Sequence, residues 1–264
     1  MINAIPKLIC SDLDGTLVPY GKPGVEEELY GQIEALAAHG ILFCPASGRQ
    51  YTSMKKMFAP VAAQCAFVCE NGGVIFKDGA LLCKTPMPRA LATAVAWDMW
   101  NNTDEHGEIM LSGGNTSYLM VRSGDIVKRI EFIGNNYKVI TDPAQIEEDI
   151  IKVSVYLKDG VGPYVERIVP KWKDANAAVA GPLWIDTTIA NKGKGVAALC
   201  AALGIAPGEV LAFGDNYNDV SMLDFAGAGY IMDNAAPELR ARYTLHTDSP
   251  VSTLRALLAE LDAR

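Results

Sequence analysis

The 264-residue sequence predicts an α/β protein, a parallel-sheet core interrupted by an inserted α+β module at 84–187. Three observations predict it. Two apolar, strand-like runs lie far apart, at 5–11 and 210–213, and each ends in a knot of carboxylates and glycine: Asp12-Leu13-Asp14-Gly15-Thr16 and Gly214-Asp215-Asn216-Tyr217-Asn218-Asp219. Strand-like runs alternate with helical periodicity over 1–83 and again after 187. Between these stretches the alternation gives way to hairpin-like pairs of strands.

Taken in order, the run at 5–11 is the first strand. Apolar residues at Leu29, Ile33, Leu36 and Ala37 have helical spacing, and Gly40 supplies a stop, so 29–39 is a helix. The second strand is 41–44, leading into Ser47-Gly48-Arg49, where a helix is expected to open before 51–59 and close at Pro60. The third strand, 66–69, runs into Glu70-Asn71-Gly72-Gly73. Strands 74–76 and 80–83 flank Lys77-Asp78-Gly79, a hairpin signal. The insert reads as a helix over 89–102, a hairpin of 108–111 and 117–121, a helix over 125–133, a strand over 152–157, a helix over 163–173, and short runs at 177–180 and 183–185. The core resumes with a helix over 195–203 stopping at Gly204, the strand 210–213, a helix over 219–225, a strand over 229–232 and a terminal helix over 251–261.

The totals exclude several functions. A net charge of -8 with no run of Lys and Arg argues against nucleic-acid binding. No apolar run is long enough to span a bilayer. The Met1-Ile2-Asn3-Ala4 start has neither a charged n-region nor an apolar h-region, so no signal peptide is expected. The six cysteines form no CxxC pair and mostly sit in apolar runs, which suits free thiols and a cytoplasmic setting. His39, His106 and His246 are isolated, and none is assigned to catalysis. The tryptophans at 97, 100, 172 and 184 read as core of the insert.

The two aspartate knots carry the chemistry. In open parallel sheets, ligands gather outside the carboxyl ends of the strands. Neighbouring strand ends would gather Asp12, Asp14, Asp215 and Asp219 around one point, a density of negative charge that calls for a metal ion. The pattern points to a magnesium-dependent enzyme acting on an anionic, oxygen-rich group, a phosphate above all. One of Asp12 and Asp14 can bind metal and attack phosphorus while the other moves the leaving-group proton. Gly15 permits a tight turn and Thr16 can hydrogen-bond within the loop. Taken singly, the other signals have plainer readings. Ser47 reads as a helix N-cap, Asn218 or Asp219 as a cap of the following helix, and Lys192 as a surface lysine, with Lys194 competing for any phosphate-binding role.

Together and in this order, Asp12-Leu13-Asp14-Gly15-Thr16, Ser47, Lys192 and Gly214-Asp215-Asn216-Tyr217-Asn218-Asp219 resemble the four motifs of the haloacid dehalogenase superfamily. Ser47-Gly48-Arg49, Glu70-Asn71-Gly72-Gly73 and the position of the insert resemble the Cof-type, type IIB phosphatases. The resemblance implies a Rossmann-like core over 1–83 and 188–264 with a C2-type cap at 84–187 that selects the substrate. It implies Asp12 as nucleophile, Asp14 as general acid and then base, and magnesium held by Asp12, Asp14 through its carbonyl, and Asp215. It implies phosphoryl contacts from Ser47, Gly48, Lys192 and Asn218, support from Asp219 and Thr16, and substrate contacts from Arg49, Glu70 and Asn71. The expected activity is hydrolysis of small phosphomonoesters, sugar phosphates first, through an aspartyl-phosphate. Alternatives are a sucrose-phosphate or mannosyl-3-phosphoglycerate phosphatase, a phosphosugar mutase, or a non-catalytic phosphate-binding protein. The partner is a small phosphorylated molecule, with neither nucleic acid nor membrane; the sequence assigns no oligomeric state.

Overall fold

A computed structural model describes residues 5–263; the Met1–Ala4 start, read above for a signal peptide, lies outside them. The chain separates into two compact units, 1–83 with 191–264, and 84–190.

The first unit begins with β1 (Leu8–Ser11), α1 (Glu28–Ala38), β2 (Leu42–Pro45), α2 (Tyr51–Met57), β3 (Ala66–Cys69), β4 (Val74–Lys77) and β5 (Ala80–Lys84). The insert adds α3 (Arg89–Asn102), β6 (Gly107–Ser112), β7 (Ser117–Met120), α4 (Asp125–Ile133), β8 (Tyr137–Ile140), β9 (Lys152–Leu157), α5 (Val165–Ile168), β10 (Ala178–Gly181) and β11 (Trp184–Thr187). The first unit then resumes with α6 (Lys192–Leu203), β12 (Val210–Gly214), α7 (Val220–Phe225), β13 (Ala228–Met232), α8 (Pro237–Arg240), β14 (Leu245–Thr247) and α9 (Pro250–Asp262).

The core sheet is parallel, in the order β14-β13-β12-β1-β2. Every residue of β1 and β12 is buried, the pattern of strands covered on both faces. On one face, Leu8, Cys10, Cys44 and Ala212 pack with Val196 and Leu199 of α6 and Met222 and Leu223 of α7. On α1, Leu29, Ile33 and Leu36 are buried at the predicted helical spacing. The chain leaves β1 toward β2 in one direction and leaves β12 toward β13 and β14 in the other. The carboxyl ends of β1 and β12 therefore flank a topological switch point, where such sheets open a crevice. Both aspartate knots lie there, with Ser11 in register with Phe213.

The third predicted strand departs from the parallel pattern. β3 joins β2 by isolated parallel bridges, Phe43 to Cys65 and Ala46 to Val68, but turns antiparallel into a small sheet with β4 and β5. The helix expected to open at Ser47 begins at Tyr51, so Ser47 belongs to the preceding loop.

In the second unit, six strands run in the order β10-β11-β9-β6-β7-β8, antiparallel except for the β7–β8 pair. Ala92, Val95, Ala96 and Met99 of α3 pack with Ile109, Leu111, Val153, Val155 and Ile185. Ile126 and Ile130 of α4 pack with Met110, Leu119 and Tyr156, which belong to the opposite side of the pleat. Trp97, Trp100, Trp172 and Trp184 lie against these two clusters, half-buried. The helix predicted over 163–173 is broken: only Val165–Ile168 is α-helical, between short turns. Pro170 has no N–H to continue the ladder. Strands β8 and β14 carry no clear apolar alternation, and both were missing from the sequence reading.

The fold is thus the expected one, a Rossmann-like α/β core with an additional α+β unit. No described helix is long and apolar enough to cross a membrane. The six cysteines are free thiols, five buried and Cys83 half-buried.

Candidate active site

The carboxyl ends of β1 and β12 bring the two knots together. Asp12 follows β1, and its amide donates to the Phe213 carbonyl at 3.0 Å, tying the two strand ends. Asp215 follows β12. Asp12, Asp215 and Asp219 are all buried, and an oxygen from each lies within 4.8 Å of the others.

Asp219 reaches the cluster because the chain folds back on itself after β12. Its Oδ2 accepts from the amides of Asp215 at 3.0 Å and Asn216 at 2.9 Å. Asn216 in turn caps the short turn over 217–219, accepting from the Tyr217 amide. The cap of the following helix considered for Asn218 or Asp219 is not made by a side chain: Asp219 stands at the N-cap of α7 without a cap bond there, and the capping bonds of Asn216 and Asp219 close the 217–219 turn. Asn218 instead donates its side-chain amide to Asn71 Oδ1 at 3.4 Å.

Lys192 is the one cation of this cluster among the described residues. It opens α6, and its Nζ donates to Asp12 Oδ1 at 2.5 Å and Asp219 Oδ1 at 2.6 Å, with no solvent exposure. Lys194, two residues on, is exposed. The Lys-Gly-Lys-Gly spacing has a packing cause. A Cβ on Gly195 would lie 2.7 Å from the Gly72 Cα, and one on Gly72 would lie 2.1 Å from the Asn191 carbonyl oxygen. Bare backbone at both positions lets the start of α6 sit against the Glu70–Gly72 turn, which carries the first residue of the helix inward. Asn191 caps that helix by accepting from the Lys194 amide at 2.8 Å.

Asp215 is held from the first knot. Its Oδ1 accepts from the Thr16 hydroxyl at 3.3 Å and its Oδ2 from the Tyr20 hydroxyl at 3.2 Å. Gly15 lies beside this contact at φ +96°. A Cβ there would sit 2.2 Å from Asp215 Oδ2 and 2.8 Å from the Tyr20 oxygen, so position 15 needs glycine for space as well as for its backbone angle. Asn234 steadies the loop by donating to the Gly15 carbonyl at 2.8 Å.

Asp14 stands apart from the three-carboxylate cluster. Its side chain is half-exposed and makes a bidentate pair with Arg49, Nε to Oδ2 at 3.0 Å and Nη2 to Oδ1 at 2.5 Å. Arg49 lies in the loop after β2, where Ser47 Oγ accepts from the Arg49 amide at 3.2 Å. That loop interlocks with Glu70 and Asn71: the Glu70 amide donates to the Arg49 carbonyl and the Asn71 amide to the Ser47 carbonyl. Glu70 and Asn71 both have positive φ, at 51° and 55°, a conformation that costs non-glycine residues energy and is held here by those bonds. A Cβ on Gly48 would meet the Asn71 side-chain amide at 3.1 Å.

The electrostatics follow from this count. Burial pushes the Asp12 carboxyl upward, repulsion from Asp219 adds to it, and Lys192 only partly offsets both. Asp215 is raised by burial and by Asp219. For Lys192, burial acts to lower the value, but Asp12 and Asp219 outweigh it and hold the ammonium protonated. With all three buried carboxylates ionised, the one ammonium leaves two negative charges uncompensated. A hard divalent cation with oxygen ligands matches that deficit in charge and in donor type. The residues present therefore fit a metal ion.

The sequence reading missed Tyr20 and Asn234. Neither belongs to a motif; a loop tyrosine and an asparagine after β13 carry no signal until the fold brings them to the first knot.

A family of haloacid dehalogenase-like hydrolases matches residues 9–252. The 5-amino-6-(5-phospho-D-ribitylamino)uracil phosphatase YbjI of Escherichia coli (strain K12) is 31% identical over 235 residues, covering 87% of this chain and 86% of its own. An HMP-PP phosphatase of Serratia proteamaculans (strain 568) is 25% identical over 250 residues, covering 89% and 86%. A solved structure from Eubacterium rectale matches with a TM-score of 0.83 at 26% identity, over 96% of this chain and 99% of that one.

Proposed function

The chain belongs to the haloacid dehalogenase-like hydrolases, and from that premise we propose that it is a magnesium-dependent phosphatase that hydrolyses small phosphomonoesters through an aspartyl-phosphate on Asp12. The observation that carries this reading is the buried chain Asp12–Lys192–Asp219 with Asp215 beside it, closed at the carboxyl ends of β1 and β12.

In this reading Asp12, Asp215 and the Asp14 carbonyl hold magnesium, with Asp219 supporting the site. The ion supplies positive charge that lets a phosphate dianion approach and that stabilises the transferring group. Asp12 attacks phosphorus; its oxygen–phosphorus bond forms as the bond to the leaving oxygen breaks. Asp14 gives a proton to that leaving oxygen. Asp14, now a carboxylate, takes a proton from water. The water oxygen attacks phosphorus, the bond to Asp12 breaks, and inorganic phosphate leaves. Lys192 offsets charge on the phosphoryl oxygens and keeps Asp12 fixed. Ser47, Gly48 and Asn218 supply further phosphoryl contacts.

The Arg49 pair adds one requirement. A bidentate guanidinium occupies both oxygens of the Asp14 carboxyl group. In this reading Asp14 turns away from Arg49 to reach the leaving oxygen, and an arriving phosphate dianion is a partner to which a guanidinium can turn. In this reading Asn71 contacts the rest of the substrate, Glu70, which is buried, shapes the turn that carries it, and the 84–187 segment is the cap that chooses the substrate.

The substrate class is a small phosphorylated metabolite, with sugar phosphates and phosphorylated polyol or ring compounds first. The names of the relatives from Escherichia coli and Serratia proteamaculans favour including both of their substrates. The test is phosphate release from a panel of such compounds with magnesium or with EDTA. Magnesium-dependent release supports the reading; transfer of the phosphoryl group to a sugar instead of water would identify a mutase.

A further inference from the structure

We propose that Tyr20 is a positioning residue for the metal, its hydroxyl holding Asp215 in the orientation a bound cation requires. This rests on the magnesium reading above. Asp215 has a hydroxyl on each carboxylate oxygen, Thr16 on Oδ1 and Tyr20 on Oδ2. Thr16 belongs to the aspartate knot, and Tyr20 to the loop that follows it.

Hydrophobic burial does not account for the place of Tyr20, which is 71% exposed. What its hydroxyl meets is a buried carboxylate of the acidic cluster. The surrounding backbone is shaped for that meeting. Position 15 carries no side chain at the point where the hydroxyl and Oδ2 approach, and any Cβ there would collide with both. The Asn234 side chain holds the Gly15 carbonyl from a separate segment of the chain. The loop after β1 thus meets the end of β12 at one carboxylate oxygen, and the turn after β13 holds that loop at Gly15.

The chemistry suits a fixed ligand. Magnesium demands near-octahedral geometry, so a carboxylate free to rotate is a poorer ligand than one already oriented. Hydrogen bonds from outside the coordination sphere supply that orientation, and their loss typically costs about 10–100-fold in metal affinity. A phenol donor occupies one lone pair of Oδ2 and leaves other lone pairs of the carboxylate to spare for the cation.

Magnesium binding to the substrate-free protein, measured by titration calorimetry, tests the assignment on wild type, Tyr20→Phe and Asp215→Asn. Thermal unfolding in EDTA accompanies it. Tyr20→Phe is expected to raise the magnesium Kd by about tenfold with the unfolding temperature in EDTA unchanged. The magnesium concentration for half-maximal turnover should rise in the same proportion, with a smaller effect on turnover at saturating magnesium. An unchanged Kd in Tyr20→Phe, in a protein whose magnesium binding is lost on Asp215→Asn, overturns the role of Tyr20 and leaves the metal reading standing. A lowered unfolding temperature in EDTA alongside the weaker binding marks a role in the fold and also overturns it. Wild type that binds no magnesium overturns the metal reading itself, and the role of Tyr20 with it.

Discussion

Replacing Lys192 by methionine keeps most of the side-chain volume and removes the ammonium that Asp12 and Asp219 share. The two contacts are 2.5 and 2.6 Å long and carry no solvent exposure on the lysine. At an effective dielectric of about 20, each is worth roughly 6–7 kcal/mol of gross attraction. Much of that only offsets the desolvation of three buried ions, so the gross sum is not the cost of the substitution. What remains is the cost of stranding two buried carboxylates, about 3–5 kcal/mol by analogy with other broken buried pairs. Protonation of one carboxylate limits the loss, since Asp12 is already raised by burial and by Asp219. For a domain of this size such a loss lowers the melting temperature by roughly 6–20 °C. The assay is thermal unfolding in EDTA, repeated with magnesium. The variant should melt well below wild type in EDTA and be raised more than wild type by magnesium, which meets a cluster with no ammonium in it. Phosphatase turnover should fall by about a hundredfold or more. A variant that melts with wild type in EDTA would refute the claim that Lys192 compensates this cluster.

Gly15→Ala should weaken magnesium binding by about tenfold or more in calorimetry, because the new Cβ collides with Asp215 Oδ2 and the Tyr20 hydroxyl. In EDTA, stability should fall as pH rises. Asp12 and Asp215 are raised above the ordinary aspartate value, so the folded state holds more protons than the unfolded state, over a window from 3.8 to about 8 for Asp12. Lys192 stays protonated throughout and adds no slope. The urea midpoint in EDTA should therefore be lower at about pH 8 than at about pH 5, and magnesium should flatten the difference; a midpoint that rises with pH contradicts the arrangement. Glu108→Ala acts on the inserted unit alone. The Glu108 carboxylate accepts from the amides of Arg122, Gly124 and Ile126 at the start of α4, and its loss should cost about 2–4 kcal/mol in chemical denaturation.

The parts of this molecule that were legible in the sequence are those where chemistry restricts residue type. The two aspartate knots stand out because few other needs put so many carboxylates beside glycine at the end of an apolar strand. Parallel strands buried on both faces are equally visible as short apolar runs. The residues alone left the choice between Lys192 and Lys194 open, because both precede or open the same helix, and only the family resemblance named Lys192. The choice is decided by which residue the docking of α6 turns inward, and that depends on Gly72 and Gly195 meeting across the fold. The pairing of Asp14 with Arg49 and the contact of Tyr20 with Asp215 link positions 35 and 195 residues apart, beyond the reach of any local pattern. The helix expected over 163–173 is broken for a local reason, since Pro170 has no N–H to continue the ladder beyond Ile168. Strand β8 has two exposed residues at its centre and β14 spans three residues, so neither offers an alternation to detect.

The covalent role proposed for Asp12 is the claim to test first. The direct measurement is acid quenching of the magnesium-loaded enzyme during turnover of a 32P-labelled phosphomonoester that it hydrolyses, followed by peptide mapping of the label. Hydroxylamine-labile label is expected on the peptide carrying Asp12, and neither label nor turnover in Asp12→Asn. Phosphate release at the wild-type rate by Asp12→Asn, or label on a peptide without Asp12, would contradict it.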